Sequence, residues 1–395
     1  MANLDIARHL AEWGLRRFPD EDSYYAWQRE SLTGEQLRLL QHAVQIRREA
    51  EDADQAFYDL AASPDVLPVL YSQRYGYYNV LGPAIADALA GAQYVLDVGC
   101  GVGILTTWYA TRFPDVTFVG VDRSLKSIEM ARQFAQCHQL ENASFHHCEI
   151  PQHDIPGTFD TIVATQALFQ SESDPGLPSR NWTTRERDRD ARQQQDLEER
   201  TGLGPRLDRL LKALVCPGRI VLFEKAVHLG RRVLFQRALE ARSCVPVAEP
   251  QLLTYSELGE AIEDGPLYVV QRGPASLAAA FREDVPQDME EPIKTRLTRI
   301  WSKQESSPPD ESPLYENHSL VAQEVWRKLP DRVVLREQTD EEADGRQRHI
   351  EYGRCAGEFF YLYWANTFDQ RQIVIMEQER SALLESYYSE AIGER

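Results

Sequence analysis

Three glycines and two acids, spaced as a nucleotide would require, are the residues of this chain best placed to do chemistry. Tyr94–Val98 is an apolar run with Asp97 inside it, and glycines follow at positions 99, 101 and 103. Glycine accepts positive φ and lets a ligand approach where a Cβ would block it. A second apolar run, Val116–Val121, ends in Asp122, about twenty residues beyond the loop, where an acid meets ribose hydroxyls. A dinucleotide fingerprint would need a further glycine where Ile104 stands, which argues against an NAD-dependent oxidoreductase.

Groups able to move a proton are His146, His147, His153, Glu224 and His228. Strand alternation sends His146 and His147 to opposite faces, so at most one of them serves a given site. His146, His147, Cys148 and His153 lack a second ligand pair at matching spacing, so no metal is expected. Tyr71, Tyr75, Tyr77 and Tyr78 crowd the segment ahead of the glycine loop. They suit either a pocket wall with cation–π character or ordinary aromatic packing.

These groups need strands that end together and helices that begin beside them. The pattern predicts strands over 94–98, 116–121 and 219–224. Helices are predicted over 104–111, 127–140, 207–215 and 231–242. A final antiparallel pair is predicted at 251–258 and 266–271. Strands alternating with helices give an α/β fold with a mostly parallel sheet.

On these residues the chain resembles the class I S-adenosylmethionine (SAM)-dependent methyltransferases. Residues 94–103 match the family's first motif, an apolar strand followed by D-x-G-C-G-x-G. Val119-Gly-Val-Asp122 followed by Ser124 matches the second, and Phe159–Thr165 lies in the region of the fourth. The resemblance spans about residues 91 to 273. It implies a Rossmann-like sheet whose third and fourth strands are 143–150 and 159–165, with a terminal antiparallel strand, SAM as cofactor and S-adenosylhomocysteine (SAH) as product. It assigns cofactor contacts to Asp97, Gly99, Cys100, Gly101, Gly103, Asp122, Arg123, Glu149, Ile150 and Thr165, with Glu149 where the family usually has aspartate. Acceptor-pocket candidates are Tyr71, Tyr75, Tyr78, Gln166 and Phe169. Catalytic candidates remain His146, His153, Glu224 and His228. Thr165-Gln166-Ala167 replaces the Asn/Asp-Pro-Pro-aromatic run of adenine-N6 enzymes. Glu172 stands alone where arginine methyltransferases carry two glutamates.

The chain has 395 residues and a net charge of −19, a surface that repels phosphate backbones. The expected acceptor is therefore a small molecule or a peptide, methylated by direct in-line displacement, and nucleic acid is not expected. A non-catalytic scaffold that keeps the fold and binds SAM or SAH is the alternative. No signal segment or membrane-length apolar run is read, and the six cysteines are scattered, so a cytoplasmic protein with reduced thiols is expected. Three regions are expected: helical residues 1–90, covering cofactor and acceptor; a core over 91–273 with an insertion at 171–205; and an α+β region over 274–395. The insertion suits an acceptor lid or a solvated helix. The last region reads as a linker at Ser302–Pro313, a helix, four antiparallel strands rich in aromatics and a closing helix. Free edges on that sheet would suit a homodimer.

Overall fold

Short apolar runs that break at glycine or polar turns leave five parallel strands with one common carboxyl edge. They are seen in a computed structural model that describes residues 6–49, 54–150, 152–169, 174–273, 281, 314–342 and 346–393. Glu172, the 302–313 linker and the Asp344-Gly345 turn lie outside the described residues. The chain divides into two compact units. The first is Met1–Glu172 with Glu198–Val227 and Phe235–Phe281; the second is Ser173–Leu197 with His228–Leu234 and Arg282–Arg395.

The first unit holds β1 (Tyr94–Val98), β2 (Thr117–Asp122), β3 (Ala143–His147), β4 (Phe159–Thr165), β5 (Leu214–Phe223), β6 (Cys244–Pro246), β7 (Gln251–Glu257) and β8 (Glu260–Arg272). The order is β3-β2-β1-β4-β5-β8-β6, with β7 also paired to β8. β3, β2, β1, β4 and β5 run parallel; β8 is antiparallel to β5, β6 and β7. This is the mostly parallel sheet that the alternating pattern predicts, with the terminal antiparallel strand that the family resemblance implies. Its central strands are mostly apolar because both faces are covered: in β1 only Tyr94 is exposed, and the one acid, Asp97, is buried.

The predicted connecting helices are present with shifted ends: Ile104–Arg112, Leu125–Cys137, Leu203–Ala213 and Leu229–Glu240. Ser124 caps the second of these, its Oγ accepting from the Ser127 N–H at 3.1 Å. The strands also differ from the prediction in detail, β3 stopping at His147 and β8 beginning at Glu260. β5 starts at Leu214, directly after the helix, instead of after the Pro217-Gly218 turn. β6 was not foreseen, because three residues carry no measurable periodicity.

Helices Ile6–Glu12, Glu21–Ser31, Gly34–Glu49, Asp54–Ala61, Leu67–Ser72 and Tyr75–Ala88 precede β1. Ile6, Leu10, Trp13, Tyr77, Leu81 and Ile85 share one buried cluster with Val95, Ile104, Trp108 and Phe118. The amino-terminal helices are thus part of the first unit's core, on the surface that the sheet and the Ile104–Arg112 helix present.

The second unit contains β9 (Leu314–Glu316), β10 (Val333–Glu341), β11 (Gln347–Cys355), β12 (Phe359–Asn366) and β13 (Arg371–Glu377), with helices Ser319–Arg327 and Ser381–Ala391. The sheet is antiparallel in the order β10-β11-β12-β13-β9. Alternation in β12 buries Phe359, Tyr361, Tyr363 and Ala365 on one face. These pack with Val321, Val325 and Trp326 of the first helix. Ile350, Tyr352 and Met376, on the other face, pack with Leu384 and Tyr388 of the second. Of the 183–201 stretch, only Ala191–Arg200 is helical. Ahead of it, buried Arg187 pairs with Asp369, and Trp182 reaches the Trp326 cluster.

Candidate functional site

The glycine loop turns because its three glycines take φ values of +69°, +55° and +84°. Two of them also have no room for a side chain. A Cβ on Gly99 would lie 2.7 Å from the Ala167 Cβ, and one on Gly103 would lie 2.9 Å from the Ala131 Cβ. Above Gly101 nothing lies within 4 Å. The loop is therefore packed underneath and open on one side, the form a nucleotide cradle takes.

Asp122 anchors this loop. Its Oδ2 accepts the Gly101 N–H at 2.9 Å and its Oδ1 accepts the Ser124 N–H at 2.8 Å. Burial pushes the Asp122 carboxyl up from its usual range, against the pull of these two donors. Asp97 is buried and accepts from the Thr106 hydroxyl at 2.5 Å. Burial pushes its pKa up to about 7, with Asp122 adding to the shift. Beneath the helix start, His9 is buried, and its Nε2 lies 2.8 Å from the Ile104 carbonyl. Burial lowers the His9 pKa to about 4, so the ring is neutral.

The remaining cofactor candidates sit around the same strand ends. Cys100 is half-buried and packs with Ile128 and Phe145. Arg123 lies over the Tyr58 ring at 5.7 Å. Glu149 and Ile150 are half-buried after β3, with the Glu149 carbonyl accepting from the His153 N–H at 2.9 Å. Thr165 hydrogen-bonds Tyr77.

The catalytic candidates scatter. His146, His147 and His153 are exposed, and the His147 Nε2 lies 2.9 Å from the Arg123 carbonyl. His228 is exposed at the start of the Leu229–Glu240 helix, where its carbonyl accepts the Arg231 and Arg232 N–H groups. Glu224 is 1% exposed and accepts the N–H groups of Ala167 and Leu168 at 3.0 and 2.9 Å. Its carboxylate fixes the loop after β4, and that loop contacts Gly99. Arg206, also buried, donates to the Leu168 carbonyl at 3.1 Å and fixes the loop from a second direction.

Among the pocket candidates, the Tyr71 and Tyr78 rings lie 6.5 Å apart at 26°. Burial raises the Tyr71 hydroxyl well above its usual range, with Tyr78, Tyr58 and the Asp122 charge adding to the shift. Tyr75 is half-buried against the main core. Phe169 is buried against Phe235, ring centroids 5.3 Å apart, a core position.

Gln166 is the hub of a network that the sequence reading missed. It sits at φ +52° directly after β4. The Arg74 Nη2 donates to its Oε1 at 2.8 Å, and its Nε2 donates to the Asp264 Oδ2 at 3.3 Å. The Tyr255 hydroxyl donates to the same Asp264 oxygen at 3.0 Å. Arg74 also lies over the Tyr77 ring at 3.9 Å. Burial lifts the Glu257 carboxyl, opposed by Arg74 and Lys225. β8 runs antiparallel to β5 with Leu267 opposite Phe223, so Asp264 falls beyond the carboxyl end of β5. The available signals were slight: an arginine inside a tyrosine run, and an aspartate ahead of Gly265-Pro266.

A family profile described as a methyltransferase domain matches residues 91–197. A tRNA1(Val) (adenine(37)-N6)-methyltransferase from Vibrio campbellii is 33% identical over 78 residues, covering 20% of this chain and 33% of that protein. A trans-aconitate 2-methyltransferase from Deinococcus radiodurans is 36% identical over 88 residues, covering 22% of this chain and 32% of that protein. The chain thus spans about a third of the length of these relatives. A magnesium protoporphyrin IX methyltransferase from Synechocystis, solved with bound SAM, covers 52% of this chain and 81% of its own at 15% identity and a TM-score of 0.35. No described helix is long and apolar enough to cross a membrane.

Proposed function

We propose that this chain, whose residues 91–197 are a class I SAM-dependent methyltransferase domain with SAM as its cofactor, transfers a methyl group to a small-molecule or peptide acceptor at the carboxyl edge of its parallel sheet. The observation that carries this reading is the pairing of the open, Asp122-anchored glycine loop with the Arg74–Gln166–Asp264–Tyr255 network on the adjacent strand ends. SAM, when bound, supplies an electrophilic methyl on a sulfonium.

The residues fit that cofactor. The space above Gly101 admits a ligand against the backbone, and Asp122 keeps lone pairs for ribose hydroxyls beyond its two backbone bonds. Glu149 and Ile150 would flank the adenine. Tyr71 and Tyr78 would wall the methyl end and exclude water, which favours a displacement that needs alignment more than acid–base help. Gln166 and Arg74 would orient the acceptor. Asp264, a buried carboxylate that accepts from the Tyr255 hydroxyl at 3.0 Å, would take the acceptor's proton. The net charge of −19 favours a neutral or cationic acceptor over nucleic acid, although relatives of the domain include a tRNA-directed enzyme. A cytoplasmic setting and a homodimer over the β10 edge, which has no neighbour on one side among the described strands, belong to the same proposal.

The test is thermal unfolding with SAM, SAH and NAD on wild type and Asp122→Ala. SAM and SAH at a hundred times their dissociation constants should each stabilise the wild type by about 2.7 kcal/mol. The shift should vanish in the variant and be absent with NAD. Labelled methyl transfer should then appear with small amines, hydroxy compounds or peptides; transfer to tRNA alone would replace the proposed acceptor class. SAM binding without turnover on any of these would leave a scaffold as the function.

A further inference from the structure

The antiparallel sheet carries a second group of chemistry-bearing side chains, separate from the methyltransferase residues. The β10–β11 register sets Glu337 opposite Glu351 and Thr339 opposite His349. Glu337, His349 and Glu351 therefore share one face, where directly opposed side chains meet. His349 and Glu351 are buried, at 1% and 2% exposure, while Glu337 is exposed. One donor atom from each of the three lies within 4.8 Å of the other two.

His349 is held firmly yet left unsatisfied. Its ring stacks on Trp182, with centroids 3.6 Å apart and planes 2° from parallel. Its Nδ1 lies 2.7 Å from the Thr339 Oγ1. In the tautomer whose Nδ1 donates to that hydroxyl, Nε2 carries a lone pair, the arrangement that outer partners impose on metal-binding histidines. Nε2 is buried without a hydrogen-bond partner. It faces the Glu351 Oε2 at 3.7 Å, beyond hydrogen-bond length. The other Glu351 oxygen is already engaged, accepting from the Trp326 Nε1–H at 3.0 Å and the Tyr361 hydroxyl at 2.5 Å. In that tautomer a lone pair and a carboxylate oxygen face each other away from water, with Arg332 4.0 Å from the other Glu351 oxygen, and a positive centre between the two facing atoms would satisfy both.

We propose that Glu337, His349 and Glu351 bind one divalent transition-metal ion of the zinc or manganese class. One imidazole and two carboxylates suit such ions, and three protein ligands leave a position for water. Bonds of about 2.0–2.1 Å in a tetrahedral site put donors roughly 3.4 Å apart. Glu337, the exposed ligand, is free to swing inward and close the remaining gap. Thr339, Trp326 and Tyr361 then act as the outer partners that fix ring and carboxylate.

The experiment uses the full chain, stripped with chelator and exchanged into metal-free buffer. It is titrated calorimetrically with Zn2+ and with Mn2+, and its visible absorption is recorded with Co2+. The expected result is one equivalent bound with at least one of the first two ions and a cobalt band in the visible. Glu337→Gln should weaken binding at least tenfold, and His349→Gln should abolish it together with the cobalt band. Absence of saturable binding by all three ions would overturn the proposal and leave a proton-sharing His–Glu pair. Binding unchanged in Glu337→Gln would also overturn it and point to the exposed histidines elsewhere. If His349→Gln does not fold, the Glu337→Gln result decides alone, since that side chain is exposed.

Discussion

The two sheets collect their polar groups in different places. In the first unit, parallel strands end on one side, and the polar residues gather at that edge: Asp122, Thr165, Gln166, Glu224 and Asp264. In the second unit, antiparallel strands end on alternate sides, and the polar groups lie in mid-face, where Glu337, His349 and Glu351 meet across two strands. An edge is supplied by loops that follow one another in sequence; a face is assembled by register. The same difference separates two buried acids. Asp97 has one side-chain donor, and burial raises its pKa to about 7. Burial also works against the charged form of Glu351, but the Tyr361 and Trp326 hydrogen bonds and the Arg332 charge oppose it, and the carboxyl lies below its usual range. Donor number, not depth, sets the sign.

The comparison breaks most visibly at Glu351. Glu351→Leu leaves the Trp326 N–H and the Tyr361 O–H buried without an acceptor. It should cost about 3 kcal/mol, read as a lowered urea midpoint. Gly103→Ala tests the edge: the strained φ and the Ala131 contact should cost about 2 kcal/mol and weaken SAM binding, measured by calorimetry. Asp97 and His9 provide a pH test with opposite signs. The folded state holds the Asp97 proton to higher pH than the unfolded chain does, so this residue makes stability fall as pH rises from about 4 to about 7. His9 is neutral in the fold while the unfolded chain takes up a proton below about 6.5, so it makes stability rise over pH 4 to 6.5. Each slope is at most about 1.4 kcal/mol per pH unit. Asp97→Asn should therefore leave a net rise in stability over that window, seen in urea unfolding at several pH values. The smallest effect is expected from Thr339→Val, which removes one partner of His349 and should cost about 1 kcal/mol in the same assay.

What was legible in the sequence follows the same division. The glycine loop, Asp122 and the alternating strands could be read because each lies in one contiguous stretch with a fixed period. Four carboxy-terminal strands were found near Val333, Gln347, Phe359 and Arg371 for the same reason. The Gln166 network was hidden because it joins Arg74, Gln166, Tyr255 and Asp264 from separate elements. Glu337 and His349 were equally hidden, since only the β10–β11 register brings them together. Glu224 drew attention as a proton acceptor, and nothing local distinguishes that role from its observed one of holding backbone N–H groups.

β10 forms one edge of its sheet and opens with Val333, Val334 and Leu335, all exposed, before an irregularity between Val334 and Arg336 and a charged remainder. During synthesis this strand leaves the ribosome ahead of β11, its only hydrogen-bonded neighbour among the described strands. For that interval its backbone and three apolar side chains are open to any other nascent strand. The break in register and the charged residues Arg336, Glu337, Asp340 and Glu341 that follow are the features that oppose edge-to-edge pairing at this strand.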